Sequence, residues 1–315
     1  MISTVFETGL PIGETLRVQK NRIGDEKNAV ARLSVVTGTH GDELEGQFVC
    51  YELARRLNKN LEYLQGAVDI YPALNPLGID MSMRLIPKKE LDLNRCFPGN
   101  ANGHMTERYA AAIVDSLIGS DMVLDIHSSD MFVREIPQVR ISKEFAPKLM
   151  PFARQMNVDM IWMNETDVVH ESTLAHTLNT LGVPTMVVEM GLGIRINQEY
   201  GNQIVDGILK LMSEMGMWTG PVPHTQAPVV SSDGEVEFIR SDRQGIFLPS
   251  IEHNHYARPG QCVGILVNPY TGETYKEICT QKGGLIFTLR VNPMVYEGSL
   301  IARVLSEKTK QEGRI

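Results

Sequence analysis

From about residue 30 to residue 216, short apolar runs alternate with stretches whose apolar positions recur at helical spacing. LSVVT, AVDIYPAL, MVLDIH, DMIWM and PTMVVEM are strand-like, and each precedes or follows an amphipathic segment. One such segment opens at GTHGDELEG: Phe48, Val49, Leu53 and Leu57 form an apolar face, and Arg55, Arg56 and Lys59 lie near its C-terminus. The alternation predicts an α/β sheet covered by helices on both faces.

After LMSEMGMW the pattern changes. TGPVPHTQAPVV carries Pro and Thr without a period, and short strand-like pieces rich in glycine follow it. A boundary near residue 220 is expected, dividing the chain into a larger domain, 1–220, and a β-rich one, 221–315. The tail reads as two short-strand units, GIFLPSIEHNHYARPGQCVGILVNPYTGE and GGLIFTLRVNPMVYEGSLIARV, punctuated by glycine at comparable places. They resemble the barrel-sandwich fold of lipoyl and biotinyl domains, without an evident turn for a modified lysine.

Composition narrows the partners. With 315 residues, 43% apolar and 22% charged, the chain is long enough for one large domain plus a small one. A formal net charge of −8 works against attraction to nucleic acid or an anionic membrane. No run approaches the roughly 20 apolar residues of a membrane span, and MISTVFETGLPIGETLRV lacks the order of a signal peptide, so a cytoplasmic location is expected. Cys50, Cys96, Cys262 and Cys279 show no paired spacing and are expected as reduced thiols. Any metal must then come from His and carboxylates.

His40 and Glu43 sit at a strand-to-helix junction, and their i, i+3 spacing turns an imidazole and a carboxylate the same way, which suits two ligands of one zinc. Taken alone the pair reads better as a surface helix start with Glu in its first turn, and only a third ligand changes that. His127 adds a third group, at the end of the apolar strand MVLDIH, where α/β proteins place functional side chains; the alternative is a buried structural histidine. Glu189 ends the apolar strand PTMVVEMG, and a carboxylate there must reach solvent or be paired, metal-bound or raised in pKa. MRLIPKKELDLNRCFPG gathers Arg84, Asp92, Asn94 and Arg95 in one loop. Two arginines and an asparagine suit a carboxylate clamp and a polarised carbonyl. Solvated charge is the alternative, and it is the expectation for Lys88, Lys89 and Glu90.

Together GTHGDE, DLNR with the following FPG, DIH and VVEMG resemble the succinylglutamate desuccinylase and aspartoacylase family of the zinc carboxypeptidase superfamily. The resemblance runs from about residue 30 to the end. It implies a mixed sheet flanked by helices, and one zinc per chain held by His40, Glu43 and His127. It casts Glu189 as the base that activates the zinc-bound water and Arg84 as the arginine that polarises the scissile carbonyl. Asn94 and Arg95 match the pair that binds the substrate's free carboxylate, and Asp92 resembles the carboxylate that orients the first zinc histidine. Tyr296 resembles a tyrosine that reaches the active site in aspartoacylases. The implied activity is zinc-dependent hydrolysis of an amide in a small N-acyl amino acid. Its rivals are a metallocarboxypeptidase acting on a peptide C-terminus and a non-catalytic metal-binding or carrier protein; retention of the base Glu189 speaks against the latter. The segment before Glu189, LAHTLNTLGVP, offers His176 and Asn179 in place of a second substrate-side arginine, so the acyl group stays open. A homo-oligomer is also left open.

Other signals are discounted. GLGIRI, Gly191 to Ile196, lacks the third glycine of a dinucleotide loop. His253 and His255 fit an exposed loop better than a second metal, the sequon at Asn164 has no role without secretion, and the 16 methionines read as core filler.

Overall fold

The computed structural model describes residues 1–87, 89–164 and 172–306; Lys88, expected as surface charge, lies outside them. The first two thirds of the chain runs β1 (Ile2–Gly9), β2 (Thr15–Ile23), β3 (Arg32–Thr37), α1 (Glu45–Lys59), β4 (Ala67–Tyr71), α2 (Pro76–Met81), α3 (Met105–Leu117), β5 (Met122–Ser128), β6 (Val133–Ser142), α4 (Ala146–Ala153), β7 (Met160–Asn164), α5 (Leu174–Thr180), β8 (Thr185–Gly191) and α6 (Gln198–Glu214). The strand-like runs of the sequence become β3, β4, β5, β7 and β8. The sheet is mixed: β4, β3, β5 and β8 are parallel neighbours, while β2 and β6 flank them antiparallel.

Because strand side chains alternate between faces, each central strand serves two cores. Leu33 and Val35 of β3, Leu124 and Ile126 of β5, and Met186 and Val188 of β8 pack with Val49, Leu53 and Leu57 of α1 and Ile204 and Ile208 of α6. Val36, Tyr71 and Val123 turn the other way, toward Tyr109, Ile113 and Leu117 of α3 and Leu174 and Leu178 of α5. The same alternation puts Asp125 and His127 on the side of Val123, and Glu189 on the side opposite Met186 and Val188. The functional side chains thus leave the sheet on one face, at the C-terminal ends of its parallel strands.

After α6, residues 221–228 have no regular structure. The remaining strands are β9 (Val229–Ser232), β10 (Val236–Arg240), β11 (Gly245–Pro249), β12 (His255–Ala257), β13 (Cys262–Val267), β14 (Thr274–Cys279), β15 (Gly284–Arg290), β16 (Met294–Val295) and β17 (Leu300–Leu305). They do two things. β15, β17 and β10 continue the large sheet outward from β6, β12 pairs with β15, and β9 pairs with β7, giving 13 strands in all. β14, β13, β11 and β16 form a second sheet of four strands. Phe247, Val263 and Leu266 of that small sheet pack with Ile286, Ile301 and Val304 of the large one. No helix among the described residues is long and apolar enough to cross a membrane.

The expectation of four reduced thiols is corrected here. Cys262 and Cys279 are joined by a disulfide, their Cα atoms 3.8 Å apart on facing positions of β13 and β14. Their separation of 17 residues shows no pairing in sequence, because strand register, not spacing, makes them neighbours. Cys50 and Cys96 are free.

Leu53 is fully buried between α1 and the sheet. Leu53→Ala should lower unfolding free energy by ~2–5 kcal/mol, the usual cost of a Leu-sized core deletion. Urea denaturation checks this, and a loss below about 1 kcal/mol would contradict a close-packed interface at this point.

Candidate active site

The loop between β3 and α1 is fixed by glycine. A side chain on Gly41 would lie 2.0 Å from the Gly78 carbonyl carbon, so only glycine lets this loop press against α2. Gly41 N donates to the Met83 carbonyl at 3.1 Å, tying the same loop to the segment that carries Arg84. Thr37 Oγ1 donates to the Ile126 carbonyl at 2.9 Å and locks the end of β3 to β5. These contacts bring His40 and Glu43 onto His127, all three less than 5% exposed.

Glu43 stands between the two imidazoles. Its Oε1 lies 2.6 Å from His40 Nδ1 and its Oε2 2.8 Å from His127 Nδ1, and Ser128 N donates to Oε2 at 3.1 Å. Each ring turns its other nitrogen to a second carboxylate. His40 Nε2 is 3.1 Å from Asp92 Oδ1, and His127 Nε2 is 3.2 Å from Asp125 Oδ1. Burial opposes the charged form of both histidines. The carboxylates around them outweigh it, raising His40 through Glu43 and Asp92 and holding His127 well above the usual value through Asp125 and Glu43. Burial likewise opposes the charge on Glu43, but His127 and His40 hold its carboxyl well below the usual range.

This arrangement fits a metal. One ligand atom from each of His40, Glu43 and His127 lies within 4.8 Å of the others. Two nitrogens and a carboxylate oxygen form the donor set of catalytic zinc sites that keep a fourth position open. Both Nδ1 atoms converge on Glu43, which leaves Nε2–H to donate to a carboxylate, the support that metal-bound imidazoles need. Asp125 is fully buried, and apart from His127 its carboxylate has no partner among the described residues.

Glu189 occupies the next strand, directly opposite His127 in the β5–β8 register. Burial raises its pKa to about 7, with Glu135 adding to the rise and Arg140 opposing it. A cavity of about 470 Å³ joins these groups, lined by His40, Glu43, His127, Glu189, Arg84 and Arg95 among others. Arg84 reaches Glu43 at 3.1 Å and Asp92 at 3.4 Å, so it borders the His–Glu–His group. Asn94 lines the cavity too, its Oδ1 accepting from Leu174 N at the start of α5, 2.9 Å away, which leaves its amide N–H groups to other acceptors. Exposed Arg95 donates to the Asn94 carbonyl at 2.8 Å. Asp92 also accepts from Asn94 N at 2.8 Å. His40, Glu43, Arg84, Asp92, Asn94, Arg95, His127 and Glu189 therefore converge on one region.

Residues 29–215 match the sequence pattern of the succinylglutamate desuccinylase/aspartoacylase catalytic domain. The chain belongs to the succinylglutamate desuccinylase/aspartoacylase family. An N-alpha-acetyl-L-2,4-diaminobutyric acid deacetylase from Halomonas elongata is 39% identical over 101 residues, which is 32% of this chain and only 29% of that protein's length. A probable aspartoacylase from a Nostoc species is 24% identical over 301 residues, 89% of this chain and 97% of its own length. Among solved structures, a succinylglutamate desuccinylase/aspartoacylase from Rhodobacter sphaeroides superposes with TM-score 0.82 at 21% identity, covering 97% of this chain and 95% of that one. The product-bound ectoine utilization protein EutE (DoeB) from Ruegeria pomeroyi gives TM-score 0.82 at 20% identity, covering 95% and 92%. These likenesses carry the fold.

In this member of the succinylglutamate desuccinylase/aspartoacylase family, two features escape the sequence reading. Asp125 has a legible signal: in D-x-H on a strand, both side chains must share a face. The second is Arg140 of β6, whose Nη1 donates to Glu189 Oε1 at 3.1 Å. His176 and Asn179 both line the cavity, but Asn179 is engaged in clamping α5 to β8 through Thr185 and Ala175. Tyr296 is 72% exposed and does not line the cavity. His253 shares a hydrogen bond with Tyr200 Oη at 2.8 Å.

Asp125→Asn should keep the fold and weaken binding of a divalent metal by about 10- to 100-fold, as loss of such carboxylates usually does. Competition against a chelator with Zn²⁺ as the probe ion measures it. Unchanged affinity would remove Asp125 from the support of the site.

Proposed function

We propose that this chain is a zinc-dependent amidohydrolase that deacylates a small N-acyl amino acid. The observation that carries the reading is the half-buried Glu189 carboxylate, raised to about 7 and facing His127 beside a His–Glu–His group. A pure metal store needs the ligands and no such base. The deacetylase and aspartoacylase names of the relatives support amide hydrolysis on N-acyl amino acids.

His40, Glu43 and His127 would hold the ion. Zinc bound there would supply Lewis acidity and make hydroxide available near neutral pH. Arg84, at the edge of the group, donates to the carbonyl oxygen as negative charge develops on it. Glu189 accepts a proton from the attacking water and returns it to the departing amine, a task for which a pKa near the working pH is best. Asn94 and Arg95 grip the substrate's free carboxylate, the planar guanidinium giving paired donors that lysine lacks. Asp92 orients His40 and keeps Arg84 in place.

Glu189→Gln should retain the metal while kcat falls by roughly 10²- to 10⁴-fold. In the unsubstituted enzyme kcat/KM should rise with pH through about 7, since the base works only when ionised. Wild-type turnover in the Gln variant, or a rate flat across that range, would exclude Glu189 as the base.

The C-terminal strands favour a small substrate over a long peptide. Arg290, Leu300 and Arg303, from β15 and β17, line the same cavity as Glu189 and close one side of it. A series with a fixed C-terminal residue and a growing acyl side should show a sharp loss of kcat/KM with length. Equal efficiency on a small acyl amino acid and a long peptide would favour a carboxypeptidase.

A further inference from the structure

Glu189 is the first member of a row of alternating charges. Arg140 bridges two carboxylates, donating from Nη1 to Glu189 at 3.1 Å and from Nη2 to Glu135 Oε2 at 2.8 Å. Glu135, 2% exposed, uses its other oxygen to accept from Thr288 Oγ1 at 2.9 Å and from Arg303 Nη1. Thr288 lies on β15 and Arg303 on β17, both C-terminal strands. The order is Glu189, Arg140, Glu135, Arg303: anion, cation, anion, cation.

The row is also held sideways. Trp162 packs under both guanidinium groups, 5.4 Å from Arg140 and 5.3 Å from Arg303, and Phe287 meets its ring edge-on at 5.7 Å. Burial opposes the charge on Glu135, yet Arg140 and Arg303 keep its pKa below the ordinary value. Buried ion pairs seldom stabilise a fold more than apolar residues of the same volume, so a row of four asks for another reason. Geometry supplies one. Without Glu135, Arg140 is free to close on Glu189 with both of its terminal nitrogens and draw the base away from its task. Without Arg303, Glu135 competes for all of Arg140 and releases Glu189.

We infer that Glu135 and Arg303 are positioning residues for the Glu189 base, dividing Arg140 between two carboxylates, so that β17 takes part in setting the active site. The inference rests on the proposed role of Glu189 as base. It extends that role to residues 54 and 114 positions away in the chain.

The test uses full-length, zinc-loaded enzyme and an N-acyl amino acid that the unsubstituted chain hydrolyses. Arg303→Met, which keeps most of the stem and removes the charge, should lower kcat by on the order of 10- to 100-fold, the scale of a slight misplacement of a reacting group. KM and zinc content should stay within about twofold, and Arg303→Lys should recover much of the loss. Glu135→Gln, nearly isosteric, serves where Arg303→Met fails to fold and should give the same split between kcat and KM. The double variant should be little worse than the poorer single one, because the two residues act on one guanidinium. Unchanged kcat in either folded variant, or a fall in kcat matched by loss of zinc or a rise in KM, overturns the inference while leaving Glu189 as base. A wild-type chain inactive on every N-acyl amino acid overturns the proposed activity and this inference with it.

Discussion

Two imidazoles and one carboxylate meet inside the protein where β3 and β5 end, and placing ionisable groups there costs several kcal/mol each unless partners surround them. Much of the neighbouring structure answers that demand. Ser128 N caps one Glu43 oxygen, Arg84 approaches the other, and Asp92 and Asp125 stand behind the two rings. None of these partners is local in sequence to all the others. The sheet assembles them: parallel pairing of β3 with β5 sets the loop carrying Glu43 beside His127, and β5 beside β8 adds Glu189 one strand further on.

Much of this was legible because central strands are buried on both faces and read as unbroken apolar runs, so a His or Glu among them stands out. LSVVT, MVLDIH and PTMVVEM became β3, β5 and β8, with the expected side chains at their ends. The loop of Arg84, Asp92, Asn94 and Arg95 was recognisable by motif, although it has little periodicity. β6 was not read as a strand. VREIPQVRIS carries a proline and three charged residues, and its buried Glu135 is neutralised by Arg303, 168 positions away. Local pattern cannot reveal a strand whose polarity is cancelled by a distant part of the chain. The Cys262–Cys279 bond was hidden for a related reason, since facing positions follow from register.

Asp125 is a different kind of omission. It stands two residues before His127 on β5, so strand periodicity alone puts both side chains on one face. The structure gives it meaning by leaving its carboxylate no partner but that ring among the described residues.

The continuation of the large sheet past β6 has a consequence for the catalytic half. The family pattern ends at residue 215, but Val133 to Glu135 of β6 bond to β15 and Met160 to Met163 of β7 lie against β9. A chain cut at that point leaves both stretches with bare N–H and C=O groups beside an apolar sheet. Such open edges recruit strands from other molecules and seed aggregation. The C-terminal strands therefore cover those edges, occupying the hydrogen-bonding positions that a second copy of the chain would otherwise take.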